Sequence, residues 1–229
     1  MRKIYKSTIG IAAAAVLIGS LAACSTPAEE ESTTPENSPS AEAPAADPEP
    51  IAQLTNLDGV DTQVTLDAGF VEALTTLGLT PGVLGGATLT DGVLAFPITG
   101  GDVDYYDPAE DYRPYVQGSV EHEGSGISLT AGDTVVALTD FVIDPGTSRL
   151  TGTVTANGEV VGEDVFIFNL DGSTLNPAEA DADGNTVLEG TTVLISEDAA
   201  PLLNSTFNTD AVTDQLVVGI AKITARSGS

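Results

Sequence analysis

The segment from Gly101 to His122 gathers most of the side chains in this sequence that could bind or react with a ligand. It reads GDVDYYDPAEDYRPYVQGSVEH and contains the only histidine of the chain. Phenols and an imidazole can donate or accept hydrogen bonds, and an imidazole can also ligate a metal. Tyrosines among short polar residues are typical of recognition surfaces. The candidate ligand contacts are Tyr105, Tyr106, Tyr112, Tyr115 and His122.

The same residues give little support for catalytic activity. His122 is the one imidazole that could serve as the base of a nucleophile–base pair. The sequence contains no G-x-S-x-G elbow, Walker loop or H-E-x-x-H motif. Pairs of carboxylates are frequent, but they carry little information in a chain with 34 acidic residues. We therefore expect a protein that is not an enzyme.

A second group of candidate ligands lies in the acidic stretch EADADGNTVLEG. Its first half has the spacing of a calcium-binding loop, and Ca²⁺ takes oxygen ligands of this kind. The last acid of such a loop would fall at Gly190, one residue beyond the nearest glutamate. A plain Asp-Gly turn between strands is the interpretation that the sequence favours. The candidate metal ligands are Glu179, Asp181, Asp183, Asn185 and Glu189.

Residues 1–23 have the pattern of an export signal, with three basic residues before a short uncharged apolar run. That run is weaker than the roughly 20 strongly apolar residues of a membrane span. The residues Leu21-Ala22-Ala23-Cys24 resemble the lipobox of bacterial lipoproteins. The resemblance implies that Cys24 is lipidated, with palmitate among its acyl chains, and begins the mature protein. We expect a lipid anchor in the cell membrane, on its extracytoplasmic face.

Beyond the signal peptide, composition divides the chain in two. Residues 24–50 are rich in proline and acids and have no Lys or Arg, which predicts a disordered tether. Residues 51–229 are long enough for a single domain with a sizeable core. The mature chain is strongly acidic, which excludes nucleic acid as a partner. It leaves a cationic molecule or a surface protein as candidate partners. All basic residues beyond Cys24 are Arg113, Arg149, Lys222 and Arg226.

Turn signals at short intervals predict that the domain is mainly β, a β-sandwich-like fold with two short α-helices. Asp91-Gly92 and Asn157-Gly158 are hairpin dipeptides, and Glu123–Gly126 (EGSG) indicates a further turn. One helix would begin at Asp67. The second would begin at Ser196 or Asp198, with Pro201 in its first turn.

The stretch VQGSVEHEGSGISLTAGDTVVALTDFVIDPGTSRLTGTV, Val116 to Val154, resembles the middle of the haem-transport-associated (HtaA-type) domain of bacterial surface proteins. It is also similar to uncharacterised secreted bacterial β-proteins. The HtaA-type family binds haem through tyrosine and histidine, and His122 would correspond to its histidine. Two interpretations follow: an envelope protein with a non-enzymatic binding or structural role, or a surface module that binds haem or a metal cation such as Ca²⁺.

Overall fold

The structure is a computed structural model that describes residues 48–228. The signal peptide, Cys24 and most of the predicted tether lie outside the described residues. Within them, no helix is long and apolar enough to span a membrane. The prediction of a mainly β domain with two short helices is confirmed.

Thirteen strands and two helices make up the domain. The helices are α1 (Ala68–Thr76) and α2 (Ala199–Phe207). The strands are β1 (Ala52–Leu54), β2 (Leu57–Leu66), β3 (Thr80–Gly85), β4 (Thr88–Thr90), β5 (Val93–Pro97), β6 (Gly100–Tyr105), β7 (Val116–Ala131), β8 (Thr134–Asp144), β9 (Arg149–Ala156), β10 (Glu159–Asp171), β11 (Glu179–Ala180), β12 (Thr186–Ile195) and β13 (Val217–Ser227).

The strands form one antiparallel sheet that curls into a half-barrel. Its order is β1-β6-β7-β8-β9-β10-β12-β13-β2-β5-β4, with β11 beside β12 and β3 beside β7. Strand β7 is long enough to pair with β6 through its first half and with β3 through its second half. Its other edge pairs with β8. Strand β7 therefore organises one side of the half-barrel.

Alternation along the strands fills the inside of the curl. Successive side chains of a strand point to opposite faces, so Val136 and Leu138 of β8 are buried while Val135 of the same strand is exposed. Strand β10 contributes Ile167, which is only 1% exposed. The resulting apolar core runs along the concave face of the sheet.

The predicted turn at Glu123–Gly126 is wrong, because β7 continues through these residues. A β-bulge takes its place, seen as a register shift between His122 and Gly126 in the pairing with β8. Gly124 adopts a φ of +72°, which a glycine accepts without steric cost. The Ser125 hydroxyl donates to the carbonyl oxygen of His122 at 3.1 Å. The glycines that indicated a turn serve to bend a continuous strand.

Local hydrogen bonds start both helices where the sequence predicts. The Asp67 carboxylate accepts from the backbone N–H of Gly69 at 2.8 Å, which satisfies an otherwise unpaired donor at the start of α1. Before α2, the Ser196 hydroxyl oxygen accepts from the N–H of Ala199 at 2.9 Å. Apolar residues of both helices, Phe70 and Leu203 among them, face the same part of the core.

Candidate ligand-binding cavity beside Tyr115

The predicted tyrosine loop connects β6 to β7 and is closed at its base. Tyr105 is the last residue of β6 and pairs with Val116, the first residue of β7. The next pair continues the ladder, since the N–H of Tyr106 donates to the carbonyl oxygen of Tyr115 at 2.7 Å. Pairing at the base places the rings of Tyr105 and Tyr115 edge to face, with centroids 5.9 Å apart. The chain reverses direction between them over residues 107–114.

Arg113 ties this loop together from within. Its guanidinium donates to three backbone carbonyl oxygens, those of Pro108, Glu110 and Tyr112. Its Cζ also lies 5.6 Å from the centroid of the Tyr115 ring, within cation–π range. The planar fork of an arginine suits several acceptors at once. One cation thus fixes both the loop and the ring that follows it.

A second aromatic contact links the base of the loop to its interior. The rings of Tyr106 and Tyr112 are tilted against each other with centroids 4.6 Å apart. Nearer the base, the hydroxyl oxygen of Tyr105 accepts a long hydrogen bond, 3.4 Å, from the N–H of Ala178. This bond joins the loop to the segment that precedes β11. All four tyrosines therefore lie at one end of the half-barrel.

The same end of the half-barrel contains an open cavity of about 450 Å³. Its walls are largely apolar, with Ile143, Leu170 and Ile223 supplied by three separate strands and Tyr115 at one side. The few polar groups include Arg113, Ser173 and Thr191. A mainly apolar cavity of about 300–1,000 Å³ with few polar groups is typical of small-molecule sites. We therefore take this cavity as the candidate functional site.

Tyr115 presents a neutral phenol to the cavity. Burial raises the pKa of Tyr115 above its ordinary value, the neighbouring Tyr105 adds to the rise, and Arg113 opposes it. The phenol therefore carries its proton at neutral pH. Its hydroxyl makes no hydrogen bond with any other residue between 48 and 228. A ligand in the cavity could use this hydroxyl without displacing a protein partner.

His122 lies in a different environment. It is 2% exposed, and it does not line the cavity beside Tyr115. Its Nδ1 is 3.2 Å from the carbonyl oxygen of Phe141, and its Nε2 is 2.8 Å from the hydroxyl of Thr62. Since a carbonyl only accepts, Nδ1 carries the proton and Nε2 accepts from Thr62. Six residues of extended strand, roughly 20 Å, separate His122 from Val116.

Burial also decides the charge of this histidine. It lowers the pKa of His122 from 6.5 to about 4, even though the bond to Phe141 favours the protonated ring. The imidazole is therefore neutral at physiological pH, with both nitrogens occupied. The structure brings the four tyrosines together and leaves His122 apart from them.

The acidic loop around Asp181 has the geometry of a turn. One carboxylate oxygen of Asp181 accepts from the N–H groups of Asp183 and Asn185, both at 2.9 Å. The other accepts from the Asn185 side chain at 2.8 Å, and these bonds hold the pKa of Asp181 below its usual range. Glu179 pairs with Val187 in β12, and Glu189 lies further along that strand. Among residues 48–228, no group of three His, Cys, Asp or Glu side chains lies close enough to hold a metal ion.

Sequence reasoning missed most of the cavity wall. Leu188 of β12 and Ile223 of β13 line it, as does Ser173 in the short turn Gly172–Thr174. These are ordinary strand and turn residues, and only the curl of the sheet brings them to Tyr115. The tyrosines alone gave a signal in the sequence, because aromatic residues in an acidic, proline-rich loop are unusual.

No protein-family model matches the chain, and no curated protein matches it in sequence. Solved structures do: the C-terminal domain of HtaA from Corynebacterium glutamicum aligns with a TM-score of 0.49 and 16% identity, over 76% of this chain and 98% of that one. The heme binding protein HtaB from the same organism aligns with a TM-score of 0.49 and 8% identity, over 76% and 96%.

A domain-swapped dimer variant of the HtaA domain aligns less well, with a TM-score of 0.45 and 15% identity, over 70% of this chain and 92% of that one. These alignments concern the course of the backbone and transfer no ligand to this chain.

Haem, the ligand that the sequence resemblance implies, can be compared with the residues around the cavity. Apolar walls such as Leu170 and Ile223 suit the faces of a porphyrin. Tyrosine is one of the side chains that bind haem iron in proteins, and Tyr115 lies in the wall. Arg113, a cation in the wall, would be available to a carboxylate of the porphyrin. His122 does not reach this space, so the residues fit a haem held through tyrosine alone.

Proposed function

We propose that this protein is a non-enzymatic binding module of the extracytoplasmic cell envelope, which takes an apolar molecule of the haem class into the cavity beside Tyr115. The observation that carries the proposal is the cavity itself, about 450 Å³ of largely apolar space with a phenol and a guanidinium in its wall. Apolar walls supply affinity, and the two polar groups orient the ligand.

The surroundings of His122 support binding rather than catalysis. A general base needs a free nitrogen within hydrogen-bond reach of its substrate. Both nitrogens of His122 are occupied, by Phe141 and Thr62, and the ring is buried. Its role in this proposal is to hold the core together behind the cavity.

The lipobox supports the anchoring part of the proposal. A lipid on Cys24 would hold the domain at the membrane through the acidic tether of residues 24–50. The test is detergent phase partitioning of the expressed full chain, together with Cys24→Ser. We expect the parent chain in the detergent phase and the variant in the aqueous phase. An aqueous parent chain would refute the anchor.

Haem binding is tested by titrating the purified domain with haemin and recording the Soret band. Tyr115→Phe removes the phenol that faces the cavity, and Tyr112→Phe is the matched control at the tip of the same loop. We expect the parent domain and Tyr112→Phe to shift the Soret band alike, and Tyr115→Phe to bind about tenfold more weakly. Equal spectra for both variants would show that Tyr115 is not the contact.

An apolar fluorescent probe tests whether the cavity binds apolar molecules, independently of whether it binds haem. A polarity-sensitive dye should brighten with the parent domain and lose that response when the cavity is filled by Ile223→Trp. Dye binding without haemin binding would keep the apolar cavity and reject the haem class. Binding of neither would reject the proposed function as a whole.

A further inference from the structure

A second cleft, of about 270 Å³, opens on the outer face of β9 and β10. Arg149 and Asn169 lie in its wall, on paired positions of the two strands. Their neighbours Leu150 and Leu170 point the other way, into the core. Because successive residues alternate between faces, this cleft lies on the side of β10 opposite to Leu170, which lines the cavity beside Tyr115.

Arg149 lies over an aromatic ring in this cleft. Its Cζ lies 4.4 Å from the centroid of the Phe166 ring, and the side chain is exposed. Stacking on an aromatic ring occupies the face of a guanidinium and leaves its edge donors open. Within residues 48–228, those donors make no hydrogen bond and no ion pair within 4.0 Å. Arg149 is one of four basic residues beyond Cys24, so an arginine without an acidic partner here is unexpected.

Two carboxylates belong to the same cleft. Glu197 lies just before α2, and Asp214 lies between α2 and β13. Across the part of the chain that the structure describes, neither accepts a hydrogen bond or pairs with Arg149 within 4.0 Å. The amides of Asn169 and Gln215 complete the polar lining. The cleft thus brings exposed positive and negative groups to one place without pairing them.

We infer that this cleft binds a small zwitterion, a free amino acid or short peptide, with its carboxylate on Arg149 and its ammonium group on Glu197 and Asp214. A guanidinium edge matches a carboxylate through two parallel hydrogen bonds. A simple anion would meet the two acids and the strongly negative field of the domain, and a metal ion would meet Arg149. A molecule that carries both charges satisfies both walls.

The inference is tested by heteronuclear NMR titration of the domain with glycine, glycylglycine and triglycine. We expect at least one of them to shift the amide signals around Arg149 and Glu197 saturably. N-Acetylglycinamide, which has the same backbone without charges, should cause no such shift. Saturable shifts with none of the three zwitterions, or equal shifts with the uncharged analogue, would overturn the inference.

Variants then assign the contacts. Arg149→Gln should weaken binding by about tenfold or more, since it removes a charge-assisted pair of hydrogen bonds. Lys222→Gln changes the net charge equally outside the cleft and should leave affinity within about twofold. Arg149 is exposed and Lys222 is partly exposed, and unchanged melting temperatures will show that the variants fold. Equal affinities of Arg149→Gln and Lys222→Gln would exclude Arg149 as the carboxylate contact.

Discussion

Tyr115, which directly precedes β7, and His122, which lies within β7, are seven residues apart and occupy opposite environments. Tyr115 stands at the mouth of the half-barrel, where its phenol faces an open cavity and has no described hydrogen-bond partner. His122 lies in the interior, where both nitrogens are bonded. Its partner Thr62 belongs to β2, six strands away in sheet order, so this bond crosses the interior of the curl. The Tyr115 hydroxyl, at the start of β7, is accessible to a ligand, whereas the His122 ring, further along β7, contributes to stability.

The largest effect should come from deleting the interior member of the pair. His122→Ala removes a buried ring and leaves the Thr62 hydroxyl without its acceptor, and we expect it to lower the free energy of unfolding by about 3–4 kcal/mol. Tyr115→Ala, at the half-buried mouth, should lower it by about 1–2 kcal/mol. Urea unfolding of both variants measures the difference. A smaller loss for His122→Ala would contradict the contrast between the two sites.

Acid should weaken the domain through the same histidine. The folded pKa of His122, about 4, lies below the unfolded value of 6.5, so the unfolded chain binds the extra proton first as pH falls. The stabilisation of the fold by neutral His122 is complete above pH 6.5. It declines from there to about pH 4, by up to about 3 kcal/mol of unfolding free energy. Stability curves of the parent domain and His122→Gln should converge over this interval. Parallel curves would show that His122 does not titrate as described.

Substitutions of Thr62 test its hydrogen bond to His122 separately from the packing of the histidine ring. Thr62→Val keeps the shape but leaves Nε2 of His122 unsatisfied, which should cost about 1–2 kcal/mol of unfolding free energy. Thr62→Ser retains the hydroxyl and is the control, with a loss of about 1 kcal/mol or less from the missing methyl. The two variants are compared by thermal and urea unfolding. Equal losses would mean that packing, and not the hydrogen bond, matters at this position.

We expect Arg113→Lys, in the loop between β6 and β7, to have the smallest effect on stability but a large effect on the order of that loop. Arg113→Lys keeps the charge but cannot reach three carbonyl oxygens with one planar fork. We expect the unfolding free energy to change by less than about 1 kcal/mol. Amide exchange over residues 106–115 should nevertheless become faster, and haemin affinity should fall. Unchanged exchange would show that Arg113 does not hold the loop.

Local features of the fold can be predicted from the sequence where they depend on interactions between residues a few positions apart. Asp67 starts α1 because its own carboxylate reaches the N–H two residues on. Asn157-Gly158 forms its hairpin because both residues accept positive φ. The turn predicted at Glu123–Gly126 is wrong because a glycine with positive φ serves a bulge as well as a turn, and the choice depends on the neighbouring strands.

The candidate site was predictable only in part. The tyrosines were found because they share one loop. The apolar wall, from Leu188 and Ile223, was not, since residues in β12 and β13 meet Tyr115 only through the curl of the sheet. The grouping of His122 with the tyrosines reflected distance along the chain, and the structure separates them.

The alternation that makes this domain mainly β, the helix starts, the acidity and the tyrosine loop with its arginine can all be predicted from the sequence, because they depend on composition or on residues within a few positions of each other. Which side chains are accessible to a ligand and which are buried depends on the packing of distant strands. Successive residues of an extended strand lie about 3.3 Å apart along it, so Tyr115 and His122 are far apart in space. Strands distant in sequence then cover the histidine and leave the phenol facing the cavity.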